Sequence, residues 1–396
     1  MAKPLSMDQL NELVECLMKV EDPRVQGRCD HLLIDIIVIS VLGTLCGAEG
    51  IKDLHDFGES KQKWLKKLIK LPNGVPSEDT IARVLSLINP SEMEIAFYQW
   101  VKQMTNGQET NSISIDGKYT KGTDRTFNRG SKPLLVVSAF SHELGITLAE
   151  AEGVAGSEYE GAEACLDLLS LKGELISIDA GLGSNKIASN ILEKGGDYLL
   201  PLKANRKHSR DEVDQIFKAD MNLAEHAKTT TEGHARGEVR QCFLLPTKNV
   251  SEAFLNQWPK AKVIFAIVRE RTIEDKRYVI QETDCDGRQS YRVNDGELKY
   301  SEELVYYVSS RKMSAKEALA ESRKHWGIEN RLHWVLDVAF REDSWLVRAK
   351  KLAKNLSLIR KICLNLIRAS NTKGSVRGRI KKAGWNNDFL EKLVFG

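Results

Sequence analysis

The chain has 396 residues, of which 42% are hydrophobic and 29% are charged, and its formal net charge is +3. This length predicts two or three domains, and the composition is typical of a globular protein with a sizeable core. The nearly neutral charge gives little support, by itself, for binding to nucleic acid. The seven cysteines are scattered and form no C-x-x-C pair, which argues against a zinc ribbon or a disulfide framework.

The sequence predicts neither a secretion signal nor a membrane span. Its N-terminus lacks the charged-then-apolar pattern of a signal peptide. The most apolar run, residues 32–46, contains Asp35 and is shorter than the ~20 apolar residues that a bilayer requires. We therefore expect a buried helix in this run and a cytoplasmic protein with reduced thiols.

Residues 1–107 are predicted to form a helical domain. Helical periodicity recurs over residues 5–19, 31–47, 50–69 and 91–104. After the turn Leu-Pro-Asn-Gly-Val-Pro, Ser77 precedes a further short helix over residues 80–88. A turn followed by a capped helix fits the DNA-reading half of a helix-turn-helix, and it fits plain bundle packing equally well. We assign the domain a DNA-binding role on the evidence that follows.

The next region, residues 108–204, changes from helices to strands. Strands are predicted at residues 112–116, 134–140, 145–151, 175–179 and 197–202, with helices at 159–171 and 184–194. This order predicts an α/β domain with a mixed sheet, and it matches the order of the ribonuclease H fold. Because the first and fourth strands of that fold are neighbours, we expect Asp116 and Asp179 to lie side by side.

Three further regions complete the predicted organisation. Residues 205–311 contain β-like runs between polar turns, which predicts a β-rich insertion. Residues 312–345 are predicted to be helical and to belong to the same domain as residues 108–204. Residues 346–396 are predicted to form a basic helical C-terminal region, because no acidic residue occurs from position 348 to position 382. Such a one-sided run fits contacts with a phosphate backbone, or a solvated helix face.

Two aspartates follow the same tetrapeptide pattern. Asp116 and Asp179 each end an Ile-Ser-Ile-Asp sequence at the end of a predicted strand. One such aspartate could simply belong to a turn, but the repetition favours a site at the edge of the sheet. Two adjacent carboxylates repel each other unless a cation neutralises them, and Mg²⁺ prefers oxygen ligands. We therefore predict two Mg²⁺ ions, for which Mn²⁺ could substitute, arranged for phosphoryl transfer.

Glu329 is the third candidate carboxylate. In a helix, His325, Glu329, His333 and Asp337 would follow one another at intervals of four residues and share one face. This face could supply a third metal ligand, it could be a His/Glu/His zinc site, or it could be a salt-bridged surface. The spacing leaves all three interpretations open.

Several segments together resemble a known family. They occur in the order expected for bacterial insertion-sequence transposases linked to the H-repeats of Rhs elements, which belong to the DDE superfamily, and the resemblance covers nearly the whole chain. The segments are Asp116-Gly-Lys, Ile178-Asp-Ala, Gly195-Gly-Asp-Tyr, Leu202-Lys-Ala-Asn, Gly233-His-Ala-Arg, Tyr306-Tyr-Val-Ser-Ser, His325-Trp-Gly-Ile-Glu-Asn, Leu332-His-Trp-Val-Leu-Asp-Val, Glu342-Asp and Asn355-Leu with Arg360 and Leu364-Asn-Leu.

The resemblance implies a function and a site. It implies a ribonuclease H-like core, metal binding by Asp116, Asp179 and Glu329, and cleavage and strand transfer at terminal inverted repeats. It further implies double-stranded DNA as partner, a homodimer on DNA and a place at the bacterial nucleoid. The residues expected to support catalysis or bind DNA are Lys118, Lys203, Asn205, His234, Arg236, Arg323, His325, Asn330, His333, Asp337 and Arg348.

The sequence also departs from the family pattern. Ser184 stands where the family usually has Gln, and residues 156–160 and Trp345 replace other family residues. These departures spare the three carboxylates. They leave two alternatives to an active transposase, namely a transposase-derived DNA-binding protein that no longer transposes and a structure-selective nuclease.

Overall fold

The computed structural model divides into two compact units. The first comprises Met1–Ile176 and Trp326–Gly396, and the second comprises Ser177–His325. The predicted four-part division of the chain stays a prediction. The structure describes residues 9–25, 27–106, 108, 110–123, 133–153, 157–233, 236–274, 278–283, 289–294, 298–347 and 349–395. The predicted site residues His234 and Arg348 lie outside these ranges.

The first unit begins with helices, as the periodicity predicts. They are α1 (Gln9–Leu17), α2 (Leu33–Leu45), α3 (Ile51–Leu65), α4 (Glu78–Leu87) and α5 (Pro90–Thr105). The side chain of Ser77 caps α4 by accepting a hydrogen bond from the Thr80 backbone N–H at 3.3 Å. Almost every residue of α2 is buried, which explains its continuous apolar sequence. Among the described residues, no helix is long and apolar enough to cross a membrane.

Strands of the first unit follow as an antiparallel meander. They are β1 (Ser112–Thr120), β2 (Leu134–Ser141) and β3 (Thr147–Glu152), and they pair in the order β3-β2-β1. Helix α6 (Glu158–Leu168) packs on this meander, and β4 (Leu175–Ile178) runs from the first unit into the second. The prediction that Asp116 ends its strand is wrong. Asp116 pairs with Ser138 in the middle of β1, because the ladder continues to the pair Thr120 and Leu134.

The second unit starts with alternating helices and strands, and a long antiparallel meander of strands follows. In chain order they are α7 (Asn185–Glu193), β5 (Asp197–Leu202), α8 (Lys207–Asp220), β6 (Glu225–Gly233), β7 (Arg236–Pro246), α9 (Glu252–Gln257), β8 (Val263–Glu274), β9 (Tyr278–Thr283), β10 (Gln289–Asn294), β11 (Leu298–Ser309) and α10 (Ala315–His325). Five of the strands pair in the order β5-β11-β8-β7-β6, and β9 pairs with β10. The region predicted as a β-rich insertion, residues 205–311, contains β6 to β11, and the sequence analysis missed α8 and α9. That this region is an insertion stays a prediction.

The chain then returns to the first unit with helices. A π-helical turn, Glu329–His333, leads into α11 (Trp334–Phe340), α12 (Lys350–Ala369), α13 (Val376–Trp385) and α14 (Asn387–Val394). Helix α12 is the central helix of this unit, because it packs against α2, α4, α5, β2 and β3. Asn355 of α12 donates hydrogen bonds to the carbonyls of Leu85 and Ile88 at 2.8 and 3.2 Å, which ties the N-terminal helices to this core.

Gly161 allows α6 to lie directly on β2. A Cβ at this position would be 2.5 Å from Cγ2 of Val137 and 3.2 Å from the backbone nitrogen of Gly153. We expect Gly161→Ala to lower the free energy of unfolding by about 1–2 kcal/mol, since overpacking exceeds the gain in helix propensity. Urea unfolding followed by circular dichroism would measure this change. The control is Glu160→Ala, at an exposed position of the same helix. Equal unfolding midpoints for Gly161→Ala and the wild type would contradict the prediction.

Glu94 is a largely buried carboxyl with a perturbed pKa. Burial raises the pKa of Glu94 to about 7, against the opposing effect of Lys354, whose Nζ lies 3.5 Å away. Lys354 is shared with Glu152 at 3.0 Å, and the charges of Glu150 and Glu152 raise the pKa of Glu94 further. The folded protein therefore keeps Glu94 protonated at a pH where the unfolded chain has lost this proton. As a result, the free energy of unfolding falls as the pH rises from 4.5 to 7.

Glu94→Gln should remove that pH dependence. We expect the wild type to lose roughly 1–3 kcal/mol of unfolding free energy, relative to this variant, between pH 5 and pH 8. Parallel urea titrations at both pH values would measure the difference. A variant whose stability follows the wild type at both pH values would rule out Glu94 as the titrating group.

Candidate active site

Asp116 lies on the meander of the first unit, beside a histidine of the C-terminal helices. Its side chain is 19% exposed, and its Oδ2 lies 3.5 Å from Nδ1 of His333. Burial, together with the nearby charges of Lys361 and Lys118, lowers the pKa of His333 to about 4. The imidazole is therefore neutral at physiological pH, so it contacts Asp116 without cancelling its negative charge.

Lys118, two residues after Asp116 on β1, also joins this strand to the C-terminal helices. The ammonium of Lys118 lies 2.5 Å from Oδ1 of Asp337, 2.9 Å from Oε2 of Glu342 and 3.3 Å from Oδ1 of Asp343. The lysine side chain is only 13% exposed, so these pairs are largely shielded from water. The strand of Asp116 is thus tied to the π-helical turn through His333 and to α11 through Asp337.

Glu329 begins the π-helical turn that leads into α11, and its side chain is exposed. In a π-helical turn, residues four positions apart no longer lie on one face as they do in an α-helix. The prediction of one continuous α-helical face is therefore wrong over residues 329–333. His333 contacts Asp116 and Asp337 contacts Lys118, so the segment that begins at Glu329 lies against β1. The role of Glu329 as a metal ligand stays a prediction.

Asp179 belongs to the second unit, where it follows β4 directly. Its side chain is 43% exposed, and Nζ of Lys203 donates a hydrogen bond to its Oδ1 at 3.0 Å. Burial would raise the pKa of Asp179, but the hydrogen bonds from Lys203 and the Ala180 backbone outweigh this effect and lower it. Asp179 is therefore ionised at neutral pH and held by Lys203, which directly follows β5.

Neighbouring side chains fix the loop after Asp179. Nδ2 of Asn205 donates to the Ala180 carbonyl at 2.6 Å, and Nε of Arg206 donates to the Gly183 carbonyl at 2.8 Å. Ser184, one of the departures from the family pattern, caps α7 by accepting a hydrogen bond from the Ile187 backbone at 3.2 Å. This position therefore has a structural role in the loop.

His325 is also part of the second unit. Its Nδ1 lies 3.2 Å from the hydroxyl of Ser177, which precedes Asp179 by two residues. Burial lowers the pKa of His325 to about 4, against the opposing charge of Asp179, so this ring is neutral as well. Among the described residues, no three His, Cys, Asp or Glu side chains are grouped so as to hold a metal ion.

The remaining predicted residues are less informative. Arg323 is exposed near the end of α10, and Nδ2 of Asn330 donates to the Trp326 carbonyl at 3.4 Å. Arg236 begins β7, and its side chain lies outside the described part. Their predicted roles in catalysis or DNA binding stay predictions.

The sequence analysis missed a buried charge network centred on Glu342, whose side chain is 1% exposed. Burial alone would raise the pKa of Glu342, but Lys361, Lys118 and Arg360 together lower it to about 2. Lys361 lies 2.5 Å from Oε2 of Glu150, and the Arg360 guanidinium stacks 4.3 Å from the centre of the Trp345 ring. Trp345, another departure from the family pattern, therefore belongs to this network.

This network corrects part of the prediction for the basic C-terminal region. Arg360 and Lys361 are buried and paired with carboxylates, and Lys354 pairs with Glu94 and Glu152. These cations stabilise the fold and are not available to contact DNA. The exposed basic residues of the region include Lys350, Lys351, Lys373, Arg377, Lys381 and Lys382.

Two family profiles match consecutive parts of the chain. Residues 14–101 match the DDE_Tnp_1-associated domain, and residues 103–366 match the transposase DDE domain. The second match alone covers more than half of the chain and includes Asp116, Asp179 and Glu329.

Curated relatives match over the same length. The chain is 33% identical to "Putative transposase YncI" of Escherichia coli O157:H7, over 97% of this chain and 95% of that protein. It is 29% identical to "H repeat-associated putative transposase YhhI" of Escherichia coli K12, over 98% and 99% of the two chains. Among solved structures, it is similar to a piggyBac transposase in a synaptic complex with hairpin DNA, with a TM-score of 0.38 and 9% identity, over 98% of this chain and 76% of that one.

Proposed function

Since the chain belongs to the DDE transposase family, we propose that it cuts DNA at the ends of an insertion sequence and joins the freed ends to target DNA. The observation that carries this proposal is the placement of Asp116. It lies on the central part of β1, and the contacts of His333 and Asp337 bring the segment of Glu329 to the same strand. Asp179, which Lys203 keeps ionised, is the proposed third carboxylate.

We propose that these three carboxylates belong to a ribonuclease H-like core and hold Mg²⁺ or Mn²⁺. Three carboxylates form an all-oxygen donor set, which suits these hard cations better than zinc. The neutral ring of His333 leaves the charge of Asp116 available to a cation. When bound, the metal would neutralise negative charge on the attacking and leaving oxygens of the phosphodiester.

The chain's own residues would orient this site. Lys118 holds β1 to α11, and thereby keeps the segment of Glu329 beside Asp116. Lys203 and Asn205 hold Asp179 and the loop that follows it. Fixed orientation of this kind is a main source of rate acceleration in phosphoryl transfer. We propose double-stranded DNA as the partner, and a homodimer that brings two element ends together.

A cleavage assay tests the proposal. Purified protein would be incubated with Mg²⁺ and labelled linear DNA that carries the inverted repeats flanking its coding region. We expect nicks at the repeat boundary and joined products with a target plasmid. Binding without cleavage would instead identify a transposase-derived DNA-binding protein, and equal cutting of unrelated DNA would identify a structure-selective nuclease.

A further inference from the structure

A groove in the first unit lies between α11, α13 and the segment that follows α2. It encloses a volume of about 400 Å³, which is within the size range of small-ligand sites. Its walls include Glu49, Val338, Arg341, Arg377, Lys381 and Trp385. None of these residues belongs to the candidate active site.

Basic side chains dominate the groove. Arg341 pairs with Glu49 at 3.0 Å, so these two charges cancel. Arg377 and Lys381 project from successive turns of α13, and both are exposed. Within the described part of the chain, neither has an acidic partner. The groove therefore carries two uncompensated positive charges, a pattern that suits phosphate groups.

Two tryptophans on the helices that line the groove have exposed indoles. Trp385 lines the groove and is 78% exposed. Trp334 is 60% exposed, and it precedes the groove residue Val338 by one turn of α11. Large aromatic side chains are normally buried, so two exposed indoles beside uncompensated cations indicate a binding surface. Trp334 also follows directly after the π turn that Glu329 begins.

Close packing makes the floor of the groove a fixed feature. A Cβ at Gly384 would lie 2.9 Å from the carbonyl oxygen of Cys46, and one at Gly47 would lie 3.3 Å from Cγ2 of Ile380. Glycine at both positions lets α13 approach the end of α2 closely. The helix that carries Arg377, Lys381 and Trp385 is therefore held firmly in place.

We propose that this groove binds an unpaired stretch of DNA, with bases stacked on Trp385 and Trp334 and phosphates held by Arg377 and Lys381. Indole faces can stack on unpaired bases, whereas the bases of a duplex already stack on one another. The proposal rests on the proposed function, because it places an unpaired strand beside the segment of the catalytic Glu329. It assigns to the C-terminal helices a substrate contact that the three carboxylates cannot provide.

Fluorescence anisotropy with the full chain tests the groove. The probe is a labelled oligothymidine of about 15 nucleotides, compared with a labelled duplex of the same length. We expect Trp385→Ala to weaken oligothymidine binding about tenfold, and Trp385→Phe to retain most of it, because phenylalanine still stacks. Replacing Arg377 and Lys381 by glutamine should lower the slope of log K against log salt by about 1.4.

Two controls test whether a loss of oligothymidine binding is specific to the groove. Lys172→Gln removes an exposed cation elsewhere in the first unit and should leave oligothymidine binding unchanged. Circular dichroism and thermal unfolding would establish that each variant folds. Unchanged oligothymidine binding by Trp385→Ala would overturn the proposal, as would duplex binding that is stronger and depends equally on Trp385.

The outcome is separable from the proposed function. If no DNA end is cleaved but Trp385→Ala loses oligothymidine binding, the groove proposal stands and the transposase proposal fails. If ends are cleaved and oligothymidine binds independently of Trp385, the transposase proposal stands and the groove proposal fails.

Discussion

Asp116→Asn, Asp179→Asn and Glu329→Gln should each lower DNA cleavage at the element ends by at least ~1000-fold. Each amide keeps the size of the carboxylate and removes the charge that would attract a divalent cation. Because proteins hold a DNA backbone mainly through cationic side chains, which these substitutions leave in place, we expect each variant to bind the end DNA within about threefold of the wild type. Single-turnover cleavage of labelled ends measures the first effect, and gel-shift titration measures the second.

A matched control comes from the C-terminal helices. Asp388→Asn removes an exposed carboxylate in the first turn of α14, and it should leave both cleavage and binding unchanged. Full cleavage by any one of the three carboxylate variants would remove that residue from the site. Loss of binding together with cleavage would point to a defect in folding, which thermal unfolding would reveal.

Local chemistry made much of this architecture predictable. Short, mostly apolar runs located β2, β3 and β5 within two residues of their observed bounds, because these strands are buried almost throughout. Ser77 and Ser184 each mark the start of a helix, since their side chains accept hydrogen bonds from backbone groups of the first turn. These signals depend on neighbours in sequence, so one sequence suffices to read them.

Features that depend on contacts between distant parts of the sequence were harder to predict. The Gly-Lys that follows Asp116 resembles a turn, yet β1 continues there because β2 supplies a hydrogen-bonding partner up to Leu134. Helix α8 was missed because its buried positions are few, with Ser209, Val213 and Phe217 among mostly charged residues. The spacing of four residues between these three positions was the sequence signal that could have revealed the helix.

Charge proved the hardest property to interpret from sequence. Arg360 and Lys361 are part of a run with no acidic neighbour in sequence, which favoured a role in DNA binding. Their partners, Glu150 and Glu342, come from β3 and from the segment before α12, and only the tertiary fold brings them together. The alternating carboxylates of β3, Glu150 and Glu152, were the one sequence signal of a buried network, since a buried strand face rarely carries two acids without cations.

The connection between β1, which carries Asp116, and α11 depends on this network. Lys118 contacts Asp337 of α11 and Glu342 in the segment that follows, so one buried ammonium joins the strand and the helix. Glu342 also accepts a hydrogen bond from the Ser357 hydroxyl at 3.3 Å and lies 3.6 Å from Arg360 of α12. Removing Glu342 would therefore loosen three elements at once and leave buried cations without their counter-charge.

Glu342→Gln should accordingly lower the free energy of unfolding by about 3–5 kcal/mol, since a buried pair that loses one partner leaves the other uncompensated. Glutamine keeps the volume and can still accept from Ser357, so the loss would arise from charge. Urea unfolding at pH 7 measures it. Asp56→Asn breaks an exposed pair with Lys52, 3.3 Å apart, and as the control it should cost less than about 1 kcal/mol.

Acid provides a second test of the same prediction. The pKa of Glu342 is lowered to about 2 in the folded protein, so its contribution is complete above the unfolded value of 4.5 and is lost as the pH falls toward 2. The difference between wild type and Glu342→Gln should therefore narrow by roughly 2 kcal/mol between pH 7 and pH 3. A difference that is the same at both pH values would show that packing, and not the ionised carboxylate, joins the strand of Asp116 to α11.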